Sequence, residues 1–296
     1  MTLDGATLFV DGNREGLAST SAVNANAVAL WRDRRRQWQH RAKLQARRDF
    51  GAMSVRATGT LLDYDFLTDF VTGKFAFLDR RDLQLGLDGG WKQNSASWWF
   101  TGPRVGWERQ AISPLPNSNF EYSNHYGEWA VGWEGKPFLN TKASITAGPD
   151  FRTYSGKIDP HYFTGSRERT SLWFDASITS ELNSRATWTG KVTRMNWLAS
   201  TGKSATTEFV AETALAFAFY RDWSVKALER AHRCTFMPLA RDDWESFSSL
   251  TLTRKLSSRA QISSELLYHR GWNVLSAIPD RTFNRAVVTV TAGVKF

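Results

Sequence analysis

The chain has a single cysteine, Cys234, among its 296 residues. An intrachain disulfide is therefore excluded, and so is a cysteine-based metal cluster. Helical periodicity is nearly absent. The stretch "VKALERAH", Val225 to His232, reads as a helical turn or equally well as a strand. No uninterrupted apolar run reaches the roughly 18 residues that a membrane helix needs. Zinc-protease, phosphate-loop and calcium-loop patterns are also missing, so neither a metal nor a cofactor is expected. The opening "MTLDGATLFVDGNREG" has no basic onset and no adequate apolar core, so no signal peptide is expected within this chain.

What the chain does have is alternation. Its last residues, "RAVVTVTAGVKF", place Ala286, Val288, Val290, Ala292, Val294 and Phe296 on one face. Arg285, Thr289, Thr291 and Lys295 fall on the other, which is the period of two of a β-strand. The pattern recurs along the chain. Leu83, Leu85, Leu87 and Trp91 oppose Asp82, Gln84, Asp88 and Lys92. Leu139, Ala143, Ile145 and Ala147 oppose Asn140, Lys142, Ser144 and Thr146. Phe209, Ala211, Leu215 and Phe217 oppose Glu208 and Glu212. These runs are longer than the strands of most globular sheets and have the length of a tilted bilayer crossing.

Connections alternate in length too. Tight ones are read at 47–50, 78–82, 182–185, 221–223 and 256–259, and long ones at 111–124, 153–168, 231–243 and 271–284. Short turns on one side and long loops on the other are the signature of an antiparallel up-and-down transmembrane β-barrel. The tiling gives about 14 strands, within a range of 12 to 16, as roughly 10 residues per crossing allow. Residues 1–20 are expected to be a tail or periplasmic segment, and residues 21–296 the barrel.

Mean hydropathy is −0.42 and 42% of residues are apolar, which a barrel tolerates because only alternate residues face lipid. Fourteen tryptophans fit an aromatic girdle or a sugar-stacking surface. Trp91, Trp98, Trp99, Trp129, Trp133, Trp188 and Trp223 are read as girdle residues. The net charge of +9 points to an anionic partner or solute. No nucleic-acid motif accompanies it, and no nucleic acid is expected.

The closing alternation, ending on Phe296, resembles the C-terminal signal strand of bacterial outer-membrane proteins. That resemblance implies an outer-membrane location and recognition by the barrel assembly machinery through Val290, Ala292, Val294 and Phe296. It also implies contact with outer-membrane lipid and lipopolysaccharide. Within that class, the size and the Trp/Arg-rich strands loosely resemble the barrel half of surface lipoprotein assembly modifiers and exopolysaccharide export proteins.

The polar faces supply the candidate functional residues. Arg41, Lys43, Arg47, Arg56, Lys142, Lys191, Glu208, Glu212 and Glu265 are expected to face the lumen. They support a conduit, porin-like or part of an export system, with a polar and mildly cationic interior that admits an anionic solute or an exported substrate. Three other readings stand beside it. One is a structural or adhesin barrel with a plugged lumen, in which the same charges pair across strands. Another is an outer-membrane hydrolase. His125 and His161 lie near Ser, Asn and Asp, but at no fixed spacing from a nucleophile, so no catalytic residue is expected. The last is a soluble all-β glycan-binding domain, which would bury Leu85, Ile145, Phe217 and Val290 inside. A barrel turns them outward.

Overall fold

In a computed structural model, the chain forms one antiparallel sheet of fourteen strands in sequence order. The structure describes residues 2–12, 35–66, 79–110, 123–156, 167–198, 205–237, 241–273 and 282–294. The strands are β1 (Thr2–Gly12), β2 (Arg35–Phe50), β3 (Met53–Phe66), β4 (Arg80–Asn94), β5 (Ser97–Gln110), β6 (Ser123–Phe138) and β7 (Thr141–Ser155). They continue as β8 (Glu168–Asn183), β9 (Ala186–Leu198), β10 (Ala205–Tyr220), β11 (Trp223–Met237), β12 (Arg241–Lys255), β13 (Ala260–Asn273) and β14 (Phe283–Val294). Each strand pairs with the next, the up-and-down order that short hairpins produce. No hydrogen-bonded ladder joins β1 to β14 among the described residues.

The turns at 51–52, 95–96, 139–140, 184–185, 221–222 and 256–259 share one end of the sheet. The segment "LDRRD" at 78–82 is not among them, because β4 starts at Arg80. Its charges mimic a turn, yet Asp82 is buried inside the sheet and accepts a hydrogen bond from Tyr126. The tail expected over residues 1–20 is corrected as well, since Thr2–Gly12 pairs along its whole length with β2. Residues 13–20 lie outside the described residues. In β1 the row partners of Arg41 and Gln39 are Ala6 and Leu8. That breaks the polar alternation by which the other strands announce themselves. The ambiguous "VKALERAH" is part of β11.

Facing is set by the alternation. Leu85 is 47% exposed, Ile145 52%, Phe217 39% and Val290 67%. Between such residues lie buried Asp82, Asp88, Glu108, Asn124, Glu128, Asp150 and Arg152. The apolar face is therefore the outside and the polar face the inside, the reverse of a soluble sandwich. Aromatic residues mark both ends of the apolar belt. Trp91 stacks on Trp99 near the tight turns, and Trp244 stacks on Trp272 near the opposite end. Trp129 and Trp188, facing outward, donate their indole N–H to Thr101 and Thr213 on neighbouring strands, each at 2.9 Å. Polar atoms on a lipid-facing wall need such partners, since hydrocarbon offers none.

Two close approaches shape the wall. A Cβ on Gly102 would lie 1.9 Å from the Leu87 carbonyl oxygen, and one on Gly148 1.6 Å from that of Trp129. Each glycine precedes a proline, Pro103 or Pro149, which brings no N–H to the ladder. The paired rows skip at both places. These two pinches sit directly beneath Arg104 and Asp150, where the inner polar groups crowd together.

Candidate functional site

The candidate site is the inner face. It divides into a filled half and a more open half.

The filled half begins near the tight turns. Arg56 on β3 donates from Nε to Asp88 Oδ2 on β4 at 2.9 Å, and its Nη1 reaches Glu134 on β6. The Glu134 carboxylate also accepts the Trp98 indole N–H at 2.8 Å. Arg47 and Arg56 both lie over the Trp98 ring, at 4.1 and 4.7 Å from its centroid, and Arg56 over Phe100 at 4.4 Å. A guanidinium over an indole is favourable and more so out of water. Trp98 is buried at the centre of this layer. It is an inner residue, which corrects its assignment to the girdle. Even-numbered β5 residues face inward, and Trp98 shares its phase with Phe100, Arg104 and Glu108.

A second layer lies farther from the turns. Glu108 accepts from Asn124 at 2.8 Å and pairs with Arg152 at 3.4 Å and Arg80 at 3.7 Å. Arg152 also pairs with Asp150 at 2.9 Å, which accepts from Asn196 on β9 at 2.7 Å. Tyr126 donates to Asp82 at 2.9 Å, and Gln84 to Glu128 at 3.1 Å. Arg80 on β4 lies over Trp197 on β9, 5.0 Å from its centroid. Strands five apart in the order can touch only if the sheet curls strongly, as in a barrel wall. Of the layer's four acids, Glu108 and Asp150 pair with Arg80 and Arg152, while Asp82 and Glu128 are held by hydrogen bonds from Tyr126 and Gln84. Nearby, Arg104 lies over the Trp173 ring and Arg169 donates to Thr207. Charges in such a place persist because they are paired and hydrogen-bonded.

The more open half runs over β9 to β13. Lys191 faces Asp175 at 3.9 Å with 55% of its side chain exposed, and Arg230 faces Glu212 at 3.9 Å with 45% exposed. In the filled half the Asp88, Glu108 and Asp150 side chains have 0%. A ladder of ionisable groups crosses this half. His232 lies between Glu208 at 3.7 Å and Glu245 at 3.8 Å. His269 follows, 3.4 Å from Glu245, and receives a hydrogen bond from Arg285 at 3.1 Å.

The residues singled out in the sequence fall as follows. Arg41, Lys43 and Arg47 share rows with Leu62, Thr60 and Arg56, on the face of Asp82, Gln84 and Asp88. Arg47 pairs with Asp49 and Arg56 with Asp88, while Arg41 and Lys43 form no ion pair among the described residues. Lys142 lies opposite Thr179 near the tight-turn end. Lys191, Glu212 and Arg230 share one row. Glu208 lies in the row of Met195 and Cys234, and Glu265 in that of Thr251 and Lys226. Of the terminal signal, Val290 and Ala292 are exposed on the outer face, Val294 pairs with Ala260, and Phe296 lies outside the described residues. The second layer around Glu108 and Arg152 was not singled out. Its one signal in the sequence was charge on the polar phase of β4 to β7.

No family model and no curated protein matches the chain. Solved structures of similar shape include a Pseudomonas aeruginosa FadL homologue, at TM-score 0.43 and 12% identity over 86% of this chain and 76% of that one. Another is a loop-deletion mutant of OmpT, an outer-membrane protein of Vibrio cholerae, at 0.40 and 10% over 98% and 99%. A third is the CymD monoaromatic hydrocarbon channel, at 0.39 and 8% over 99% and 86%. The chain's own strand order, outward apolar belt and polar interior make it an up-and-down β-barrel of the outer-membrane kind.

Proposed function

We propose that this chain is a bacterial outer-membrane barrel that acts as a narrow conduit for small hydrophilic solutes, with the path displaced toward β9–β13. The observation that carries this reading is the asymmetry of the inner face. Ion pairs and aromatic rings fill the side from β3 to β8, reaching Asn196 and Trp197 at the far end of β9. From β9 to β13 the inner charges Lys191, Glu212, Arg230 and Glu265 stay accessible, while Asp243, Glu245 and His269, nearer the long-loop end, are buried. Such a lining keeps water and solutes in the lumen.

The selectivity expected is weak and anionic. Arg56 is neutralised by Asp88 and Glu134, and Arg47 by Asp49. Arg41 and Lys43 form no ion pair among the described residues, and fixed positive charge raises local anion concentration. Reversal potentials in planar bilayers under a salt gradient test this. Chloride should be modestly preferred over potassium, more so at low salt where screening is weak. Arg41→Gln with Lys43→Gln should remove most of the preference. Cation preference in the unaltered protein would overturn the assignment.

The filled half favours a second reading, a plugged structural barrel. Absence of conductance in correctly folded protein would select it.

A further inference from the structure

The outer wall carries an acid with no partner among the described residues. Glu229 on β11 points outward, in a row with Gly190, Thr213, Ser248 and Tyr268. It lies six residues beyond Trp223, which marks the tight-turn end, and four before Arg233, which pairs with Trp244 at the other. At about 3.4 Å per residue and a tilt near 45°, that is roughly 15 Å into a belt roughly 25 Å tall. A carboxylate therefore faces hydrocarbon near mid-depth. The indole N–H groups of Trp129 and Trp188 on the same wall find threonine partners, whereas Glu229 has neither a hydrogen bond nor an ion pair among the described residues.

Glu229 also lies in a recess. Two adjoining hollows of about 600 and 480 Å³ meet at Trp188, Thr213 and Glu229. Small residues, Gly190, Ala211, Ala227, Ala231 and Ser248, line them, with Ile178, Leu215, Leu250 and Leu266 as larger flanks. Small side chains allow another backbone to approach closely.

We infer that this recess is a docking groove for a membrane-spanning segment of another protein that presents a lysine or arginine at mid-depth. Charge complementarity selects the occupant. Acyl chains bring no donor to that depth. A second copy related by a twofold axis along the membrane normal would present the same wall at the same heights. On β8–β13 none of the outward bases among the described residues, Arg194, Arg233, Arg254 and Arg270, shares the row of Glu229. A partner's cation would pair with Glu229 in a low-dielectric setting, where the contact is strong and selective.

The inference rests on the barrel lying in a bilayer, so insertion is verified first by heat-modifiable migration and protease protection in vesicles. Failure to insert would contradict the barrel reading itself. In inserted protein, energy transfer is measured between labelled barrel and a synthetic spanning peptide of leucine and alanine with one central lysine. The control peptide carries leucine there. The lysine peptide should bind at least about tenfold more tightly, and Glu229→Gln should erase the difference. Ala231→Trp should weaken binding while leaving Glu229 in place. Equal binding of both peptides, no binding of either, or an unchanged preference in Glu229→Gln would each overturn the inference. Glu229-dependent energy transfer between two barrels would overturn it in favour of a second copy.

Discussion

At the scale of single residues, the two faces obey opposite rules, and the sharpest contrasts come from reversing them. Arg56 holds Asp88, whose side chain is wholly buried. Arg56→Gln leaves that carboxylate without its cation, which should cost about 3 kcal/mol or more in denaturant unfolding. Adding Asp88→Asn should recover much of the loss, because the buried charge goes too. If the double variant were as unstable as the sum of the singles, the pair would not be the cause. Outside, Leu215 faces hydrocarbon near mid-belt, in the row of Trp188 and Leu250. Leu215→Arg should cost roughly 2–4 kcal/mol in lipid vesicles. Ile262 lies two residues into β13, in the row of Arg254 and Trp223, close to the interface. Ile262→Arg should cost about 0–1 kcal/mol, and Thr189→Arg on the inner face a similarly small amount. Equal costs at all three positions would refute the facing.

At the scale of the element, alternation made most strands legible, because a strand with lipid on one side and water on the other must repeat every second residue. "DLQLGLDGGWK" shows its facing without any structure. The signal fails where the environment is less divided. In β1 the phase that starts polar at Thr2 and Asp4, opposite Gln45 and Lys43, continues as Ala6, Leu8 and Val10, so the polar alternation stops midway. In β4 the charges of Arg80, Arg81 and Asp82 look like a turn, but they serve the inner network and a rim pair with Asp63. The turns at 95–96 and 139–140 were missed, since the adjoining strands run on to polar ends. The site was less legible than the fold. Which charges face inward can be read from phase. That Arg80 meets Trp197, or that Trp98 lies under two guanidinium groups, depends on curl across strands distant in sequence. The last strand carries its own prediction. If its outward alternation ending on Phe296 is what the assembly machinery reads, deleting Phe296 should reduce the folded, heat-modifiable form in membranes. The same deletion should change refolding in detergent little. Normal assembly of the deleted chain in cells would remove that role.

At the scale of the whole molecule, the structure reconciles a hydrophilic, basic composition with a wall built for lipid. Charge is sorted rather than scarce. It is packed as pairs on the inside from β3 to β8, left accessible at Lys191, Glu212 and Arg230 on β9 to β11, and nearly excluded from mid-belt outside. That sorting lets the interior be rigid on one side and wet on the other. Its most direct test is spin-label accessibility along β11 in protein reconstituted in lipid vesicles, with single cysteines placed in a Cys234→Ser background. Labels at Val225, Ala227 and Ala231 should collide mainly with oxygen dissolved in the bilayer. Labels at Lys226 and Arg230 should collide mainly with a water-soluble nickel chelate. The two series should oscillate with a period of two residues and in opposite phase. A uniform response along the strand, or nickel access at the outward positions, would contradict the account.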